Sequence, residues 1–97
     1  MVVISKKVIN EFSEKYPNSS EALLDWYKKT KEADWSSFNE LKQTFNSADA
    51  VGNGLYVFNI KGNHYRLIAR IIFGARTVFI KFINTHSKYD KVNLSDL

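Results

Sequence analysis

The sequence predicts an α+β protein, in which two or three N-terminal helices pack on one face of a small antiparallel sheet formed by the C-terminal half. Apolar residues recur at helical intervals as far as Phe45. From Leu55 the period changes to two, and the residues become β-branched and aromatic. Because 97 residues with 44% hydrophobic content suffice for one core but not for two, we expect a single domain over residues 1–97.

The first helix is predicted to begin with Ser5 as its N-cap, after a short strand expected at residues 1–4. One stripe of this helix is apolar and is expected to face the sheet. The stripe consists of Val8, Ile9, Phe12 and Tyr16. Pro17 cannot continue a helix and ends it.

Two further helices are predicted from capping boxes, in which an N-cap side chain and an acidic side chain three residues later satisfy free backbone N–H groups. Asn18 with Glu21 has this spacing and would start the second helix. Ser37 with Glu40 repeats it and would start a shorter third helix. The stretch NSADAVGNG, residues 46–54, is predicted to be the loop that closes the helical half.

The C-terminal half contains three predicted strands, LYVFNI, HYRLIARIIF and RTVFIKFINTH. FGAR offers a two-residue Gly-Ala hairpin turn of type II′ between the last two strands, and IKGN offers a Lys-Gly turn between the first two. These turns would pair Ile60 with Asn63 and Phe73 with Arg76. The pairing assigns every side chain to one of the two faces of the sheet.

One face of the predicted sheet is apolar and is expected to lie under the helices. It carries Tyr56, Phe58, Tyr65, Leu67, Ala69, Ile71, Val78, Ile80 and Phe82. The opposite face mixes basic and polar residues with apolar ones, and no helix remains to cover it, so we expect it to be open. It carries Val57, Asn59, His64, Arg66, Ile68, Arg70, Phe79, Lys81 and Ile83.

Charge is distributed unevenly between the two halves of the chain. Residues 1–49 hold seven Lys against eight Asp and Glu, a net of −1, whereas residues 50–97 hold seven Lys and Arg against two Asp, a net of +5. No acidic residue occurs between Val51 and Ser87. A basic face with interleaved apolar residues is typical of single-stranded RNA binding, although a solvated sheet face is often polar without any such role.

Several classes of protein are excluded by what the composition lacks. The chain has no Cys, which excludes disulfides, a thiolate nucleophile and Cys-based zinc sites and favours a reducing cytosol. It has neither the apolar core of a signal peptide nor a membrane-spanning run, so we expect a soluble, cytoplasmic protein without a membrane partner. It also lacks a Walker loop, a dinucleotide fingerprint, a nucleophile elbow and an HExxH motif, so no cofactor is expected.

The segment INTHSKYDKV concentrates ionisable side chains at the end of the last predicted strand. They are His86, Lys88, Tyr89 and Asp90. The predicted register places His86 opposite Asn63, at one rim of the basic face. A single helical turn after His86 would bring Tyr89 to the same side. Because His64, His86 and Asp90 have no dense ligand spacing, we expect no metal site.

Metal-free cleavage of RNA is a reaction that needs ionisable side chains of these kinds beside a basic surface. The 2′-hydroxyl of the substrate is the nucleophile, so the protein supplies a base, an acid for the departing 5′ oxygen and cations for the charged phosphorane. Imidazole suits either proton transfer near neutral pH, and a tyrosine can take part where its surroundings are cationic. The planar fork of Arg66 can grip two phosphate oxygens. In the alternative interpretation, His86 is an ordinary surface residue and Tyr89 folds back onto the sheet edge.

The motifs resemble those of a known family. LYVFNIKGNHYRLIARIIF and TVFIKFINTHSKYDKV resemble the C-terminal half of HigB-type toxins, a branch of the RelE/ParE superfamily of bacterial toxin–antitoxin systems, and DWSSFNELKQTFNSADAV is also similar. The resemblance implies a RelE-like fold and an mRNA interferase that enters the ribosomal A site. It also implies cleavage of mRNA without metal or cofactor, and neutralisation by a HigA-like helix-turn-helix antitoxin.

By position, Arg66 in YRL matches the phosphate-binding Arg of the superfamily, and Tyr89 stands where a C-terminal aromatic takes part in cleavage. His86 matches the family's His, and the resemblance leaves open which group is the base. The predicted catalytic residues are thus Arg66, His86 and Tyr89, and the predicted RNA-binding residues are Asn59, Lys61, His64, Arg70, Lys81 and Lys88. The alternative is a non-catalytic protein on the same scaffold, either a ParE-like gyrase inhibitor or a basic RNA-binding domain.

Overall fold

The computed structural model describes all 97 residues and confirms the predicted α+β fold. The helices are α1 (Lys6–Lys15), α2 (Ser20–Glu32), α3 (Phe38–Thr44) and α4 (His86–Tyr89). The strands are β1 (Val2–Ile4), β2 (Asp49–Gly52), β3 (Leu55–Ile60), β4 (Tyr65–Ile72) and β5 (Thr77–Thr85). None of the helices has the length and apolar character needed to cross a membrane.

Five strands form one sheet in the order β1-β5-β4-β3-β2, with β1 parallel to β5 and all other pairs antiparallel. The short strand expected at residues 1–4 is confirmed as the edge strand β1. The loop predicted over residues 46–54 is wrong in part, because Asp49–Gly52 pairs with β3. Three consecutive residues with positive φ make the turn between β2 and β3. The Gly and Asn residues of this turn are a strong loop signal, so the sequence gives no separate indication of the short strand that precedes the turn.

The start of α1 agrees with the prediction, whereas the start of α2 differs from it. Ser5 is the N-cap of α1, but its side chain makes no capping hydrogen bond. The capping box predicted for Asn18 and Glu21 is wrong, since α2 begins at Ser20 after a 3-10 turn. Asn18 instead accepts a hydrogen bond of 2.5 Å from the hydroxyl of Tyr65, which ties the start of α2 to β4.

The capping box at the start of α3 is confirmed at its first residue. The hydroxyl of Ser37 accepts a hydrogen bond of 3.4 Å from the backbone N–H of Glu40. The carboxylate of Glu40 does not return this bond but accepts from Ser36, through the hydroxyl and through the backbone N–H at 2.6 Å. These bonds hold the pKa of Glu40 below its usual value of 4.5.

The main core lies between the helices and the inner face of the sheet. Trp26 on α2 is 2% exposed, and its ring centroid lies 5.3 Å from that of Phe58 on β3. Phe45 contacts both rings, with centroid distances of 6.4 and 5.3 Å. Leu67 and Val78 are fully buried on the same face. This close packing makes the sheet a rigid support for the residues on its opposite, outer face.

The pairing of β4 with β5 agrees with the prediction over only part of its length. Up to the pair of Ala69 with Ile80, the partners are those predicted. A β-bulge then adds one residue, Lys81, to β5, so that Ile68 pairs with Phe82. The extra residue reverses the alternation of side chains in the rest of β5.

The bulge exchanges the faces of two large residues. Ile83, predicted on the outer face, is 8% exposed within the main core. Phe82, predicted in the main core, packs on the outer face. The predicted pairs of Leu67 with Phe82 and of Arg66 with Ile83 are therefore wrong, and the observed pairs are Leu67 with Ile83 and Arg66 with Asn84.

The turn between β4 and β5 also differs from the type II′ turn predicted. Phe73–Ala75 forms a 3-10 turn, and the residue with left-handed backbone is Arg76, at a φ of 51°, rather than Gly74. The backbone N–H of Arg76 still donates to the carbonyl oxygen of Phe73, at 3.0 Å. The predicted facing of these two residues is confirmed, although the turn type is wrong.

The connection between β3 and β4 is a loop of residues 61–64, longer than the Lys-Gly turn predicted. Ile60 pairs with Tyr65 rather than with Asn63. Lys61 and Gly62 both have positive φ, at 53° and 63°. Because the register shifts by two residues, every side chain of β3 and β4 keeps its predicted face.

The outer face of the sheet is not open over its whole length, contrary to the prediction. Leu55, Val57 and Ile68 are at most 4% exposed and form a second, smaller cluster, here called the outer cluster. Residues near the C-terminus cover it, namely Tyr89, Val92, Leu94 and Leu97. The guanidinium of Arg70 holds this cover in place by donating to the carbonyl oxygen of Leu97 at 3.0 Å.

Candidate active site

Helix α4 follows β5 without a linker and carries His86 and Tyr89 at the end of the sheet. Thr85 is its N-cap, and the hydroxyl accepts a backbone N–H of the first turn at 3.4 Å. The backbone N–H of His86 donates to the carbonyl oxygen of His64 at 3.1 Å, so the pairing continues past the end of β4. His86 thus lies opposite His64 rather than opposite Asn63 as predicted, because the bulge shifts β5 by one residue.

Arg66 and Tyr89, two of the predicted catalytic residues, are in contact. The guanidinium carbon of Arg66 lies 5.8 Å from the centroid of the Tyr89 ring. Arg66 also donates a hydrogen bond of 3.3 Å to the side-chain oxygen of Asn63 in the β3–β4 loop. Because a cation is attracted to the face of an aromatic ring, the guanidinium is held between Tyr89 and this loop. Both side chains are half-buried, and Tyr89 packs against the outer cluster.

His86 has a carboxylate partner that the predicted site did not include. Its Nδ1 lies 3.3 Å from Oδ2 of Asp90, with side-chain exposures of 44% and 60%. The spacing of four residues is the signal in the sequence, since positions i and i+4 are neighbours on a helix surface. A carboxylate at Nδ1 favours a proton on that nitrogen and leaves Nε2 directed away from the pair.

Four of the predicted RNA-binding residues lie at this same end of the sheet. They are Asn59, Lys61, His64 and Lys88, all of which are exposed. Asn59 is the β3 partner of Arg66. Lys61 and His64 belong to the β3–β4 loop, which also carries the hydrogen-bond acceptor of Arg66.

Arg70 and Lys81 lie apart from this group. Arg70 is four residues from Arg66 along β4, which corresponds to roughly 13 Å. Its guanidinium is bound by the carbonyl oxygens of Asn53 and Leu97. Lys81 is exposed at the bulge of β5. The contacts of Arg70 give it a structural role, and the RNA-binding role of both residues stays a prediction.

The arrangement combines charge with groups that transfer protons. Arg66, Lys61 and Lys88 supply positive charge, and Asp90 is the only acidic residue between Val51 and Ser95. The phenol of Tyr89 contacts the guanidinium of Arg66, and the imidazole of His86 lies one helical turn before it on α4. The titratable residues form no group that could hold a metal ion. The set can therefore bind a phosphodiester and move protons at it.

Comparison with known proteins identifies the family. Residues 19–92 match the HigB toxin family, described as the RelE-like toxic component of a toxin–antitoxin system. The chain is 38% identical over 94 residues to mRNA interferase HigB of Escherichia coli O6:H1 strain CFT073, covering 95% of this chain and 91% of the relative. It is 29% identical over 92 residues to mRNA interferase toxin HigB of Escherichia coli strain K12, covering 93% and 88%.

The mRNA interferase HigB of Shigella flexneri shows the same 29% identity over 92 residues. The family match extends from the start of α2 through α4 and includes Arg66, His86 and Tyr89. The resemblance inferred from the sequence motifs is thus confirmed, and the chain belongs to the HigB family of RelE-like toxins of toxin–antitoxin systems.

Proposed function

We propose that this toxin is a ribosome-dependent, metal-independent endoribonuclease that cuts translated mRNA and thereby arrests growth. Its relatives at 38% and 29% identity are named mRNA interferases. The observation that carries the proposal is the contact between Arg66 and Tyr89 on the short helix that also carries His86, because it brings a phosphate clamp to a turn with two proton-transfer groups.

Arg66 can bind the scissile phosphate and keep its contact with Tyr89 at the same time. Its contact with Tyr89 places the guanidinium carbon over the ring, and the guanidinium has five N–H donors in its plane. One of them donates to Asn63 and a second to the backbone carbonyl oxygen of Tyr65. The remaining N–H groups are free to donate to non-bridging phosphate oxygens and to stabilise the charge that develops there.

His86 and Tyr89 are the two groups for the proton transfers. One removes the proton from the 2′-hydroxyl as its oxygen forms a bond to phosphorus, and the other protonates the 5′ oxygen as its bond to phosphorus breaks. The products are a 2′,3′-cyclic phosphate and a free 5′-hydroxyl. Asp90 orients the imidazole so that Nε2 faces outward, toward a bound phosphodiester.

The shape of the site supports the ribosome as the place of action. The proposed catalytic residues stand on an exposed rim rather than in a cleft, and neither groove of the molecule is lined by Arg66, His86 or Tyr89. A free single strand would therefore be poorly oriented on this surface. We infer that mRNA in the ribosomal A site, in the cytoplasm, is presented in a conformation that aligns the 2′-hydroxyl with the phosphate.

A toxin of a toxin–antitoxin system implies an antitoxin. We propose that this partner is a HigA-like helix-turn-helix protein encoded beside the toxin. We further propose that residues 1–97 act as one toxin domain, since a single main core joins the helices to the sheet.

The proposal is tested by inducing the chain in a bacterial host and mapping the 5′ ends of transcripts. We expect growth arrest and new ends within translated regions. Arg66→Ala and His86→Ala should each lower cleavage by at least about 100-fold. Lys28→Ala, at an exposed position on α2, is the control and should cleave as the wild type does.

Both active-site variants should unfold at the wild-type temperature, so that lost activity is not lost folding. Arrested growth with intact transcripts and damaged DNA would overturn the proposal in favour of a gyrase-directed toxin. Cleavage that persists in both variants would remove the proposed active site.

A further inference from the structure

A groove of about 280 Å³ lies between α1 and the last part of β5. It exists because β1 ends at the pair of Ile4 with Phe79, so the remainder of β5 has no neighbouring strand on that side. The groove is lined by Val8, Glu11, Phe12, Lys15, Tyr16, Ile83 and Asn84.

The groove reaches β5 at Asn84, next to the strand that carries Arg66. Asn84, on its rim, is the β5 partner of Arg66. Neighbouring strands lie about 4.8 Å apart, so the groove begins about one strand spacing from Arg66. Thr85, the next residue, caps the helix that carries His86 and Tyr89. An RNA strand with a phosphate at Arg66 can pass around the free edge of β5, so that a nearby nucleotide meets the groove on the inner side of the sheet.

The walls of the groove suit a flat, partly polar ligand. Phe12 and Tyr16 are half-buried and stack on each other, with ring centroids 4.6 Å apart and planes at 28°. Ile83 contributes a further apolar side chain to the lining. Bases of single-stranded RNA are bound by such aromatic and aliphatic surfaces because every base has an apolar face.

Polar groups around these walls match the edge of a base. The carboxylate of Glu11 is an acceptor, and its one ionic contact is an exposed pair with Lys7 at 3.7 Å. The side-chain oxygen of Asn84 accepts from the backbone N–H of Thr85 at 2.9 Å, which leaves its two amide N–H groups as donors. The ammonium of Lys15 lies 5.7 Å from the centroid of the Tyr16 ring and adds positive charge.

We propose that this groove is a nucleobase subsite, which binds one base of the mRNA next to the scissile phosphate and so sets cleavage preference. The inference rests on the proposed function, whose substrate it specifies. Its volume lies near the lower limit of small-ligand pockets, which are about 300 to 1,000 Å³, and so fits one nucleotide better than a protein helix. Because the carboxylate of Glu11 accepts hydrogen bonds, the subsite favours the amino-bearing bases adenine, cytosine and guanine over uracil.

The test is the base composition around mapped cleavage ends for Glu11→Gln, compared with Glu14→Gln. Both carboxylates are exposed on α1, but only Glu11 lines the groove. In the wild type, uracil should be depleted at one position next to the cut. Glu11→Gln adds an N–H donor for the uracil carbonyls and should raise the share of uracil there by about ten-fold. Glu14→Gln should give the wild-type profile.

The outcomes separate this inference from the proposed function. If the wild type produces no cuts in translated mRNA, the proposed function fails. If the wild type cuts but Glu11→Gln and Lys15→Gln both leave the base profile unchanged, the subsite is overturned. If the profile is unchanged while the two variants escape neutralisation by the antitoxin, the groove binds protein instead, which also overturns the inference.

Discussion

The guanidinium of Arg66 lies against the ring of Tyr89, with 5.8 Å between the guanidinium carbon and the ring centroid. The two residues are 23 positions apart in the sequence and meet because α4 turns back over the outer face of the sheet. Tyr89 itself is supported by Leu55, Val57 and Ile68 beneath it. The outer cluster thus positions a cation at the site through an aromatic ring.

Tyr89→Phe removes the hydroxyl and keeps the ring, so it distinguishes the role of the hydroxyl from that of the ring. The phenyl ring keeps the contact with Arg66 and the packing on the outer cluster, so the unfolding temperature should stay near that of the wild type. If the hydroxyl transfers a proton, cleavage of ribosome-bound mRNA should fall by about 100-fold. Cleavage is measured from the rate at which a defined transcript is cut.

Tyr89→Leu is the matched comparison, because it removes the ring as well as the hydroxyl. It should lower cleavage further than Tyr89→Phe does, since Arg66 then loses its aromatic support. Full activity of Tyr89→Phe together with loss in Tyr89→Leu would assign the residue to positioning alone and exclude it from proton transfer.

Asp90→Asn tests the orientation of His86. The amide keeps the shape of the side chain but removes the negative charge 3.3 Å from Nδ1. If Asp90 acts as a positioning residue, kcat should fall by about ten-fold while KM for ribosome-bound mRNA stays constant. Steady-state kinetics measure the two separately.

Asp96→Asn is the control for the loss of one negative charge near the C-terminus, where Asp96 is exposed in a 3-10 turn. Equal kinetics for Asp90→Asn and Asp96→Asn would mean that the contact between Asp90 and His86 is an ordinary surface pair with no role in cleavage. A fall in KM in both variants would instead indicate a general effect of charge on RNA binding, since each substitution removes a negative charge that repels RNA.

Because the pKa of Glu40 is lowered in the folded chain, we expect the free energy of unfolding to depend on pH. Hydrogen bonds from the hydroxyl and backbone of Ser36 lower the pKa of Glu40 below 4.5 in the folded chain. Since the folded pKa is depressed, the stabilisation is fully present above the unfolded value and is lost as the pH falls through the folded value. The difference in free energy of unfolding between wild type and Glu40→Gln should therefore shrink as the pH is lowered through this range.

Urea unfolding at a series of pH values measures that difference. Glu32→Gln, an exposed residue at the end of α2, is the control, and its difference from the wild type should vary less over the same range. A constant difference for Glu40→Gln would mean that the bonds from Ser36 do not favour the ionised carboxylate.

The sequence predicted the architecture well where local signals and tertiary structure agree. Helical periodicity located α1 to α3, and the change to a period of two located β3 to β5. The inner face was correct for Tyr56 to Ile71 in β3 and β4, because a shift of register by two residues preserves faces. The convergence of Arg66 with Tyr89 followed from these faces and from the helical turn after His86.

The predictions that were wrong or missing concern features that depend on contacts between distant residues. Nothing local to Lys81 marks a bulge, which is defined only by the pairing of two strands. Val92, Leu94 and Leu97 have no regular period, so the cover of the outer face was missed. Asp90 was recognised beside His86, but its contact with Nδ1 depends on the helix that Thr85 caps.

The β-bulge in β5 leads to a specific prediction about the free energy of unfolding. With uninterrupted alternation, Ile83 would stand on the outer face, whereas the structure buries it in the main core at 8% exposure. Ile83→Ala should therefore lower the free energy of unfolding by about 2 to 4 kcal/mol, because it removes buried methyl groups and leaves a cavity. Lys81→Ala, at the exposed bulge, should change it by less than about 0.5 kcal/mol. Urea unfolding at one pH measures both, and similar small effects of the two substitutions would contradict the observed register, since a residue on a solvated face loses little on truncation.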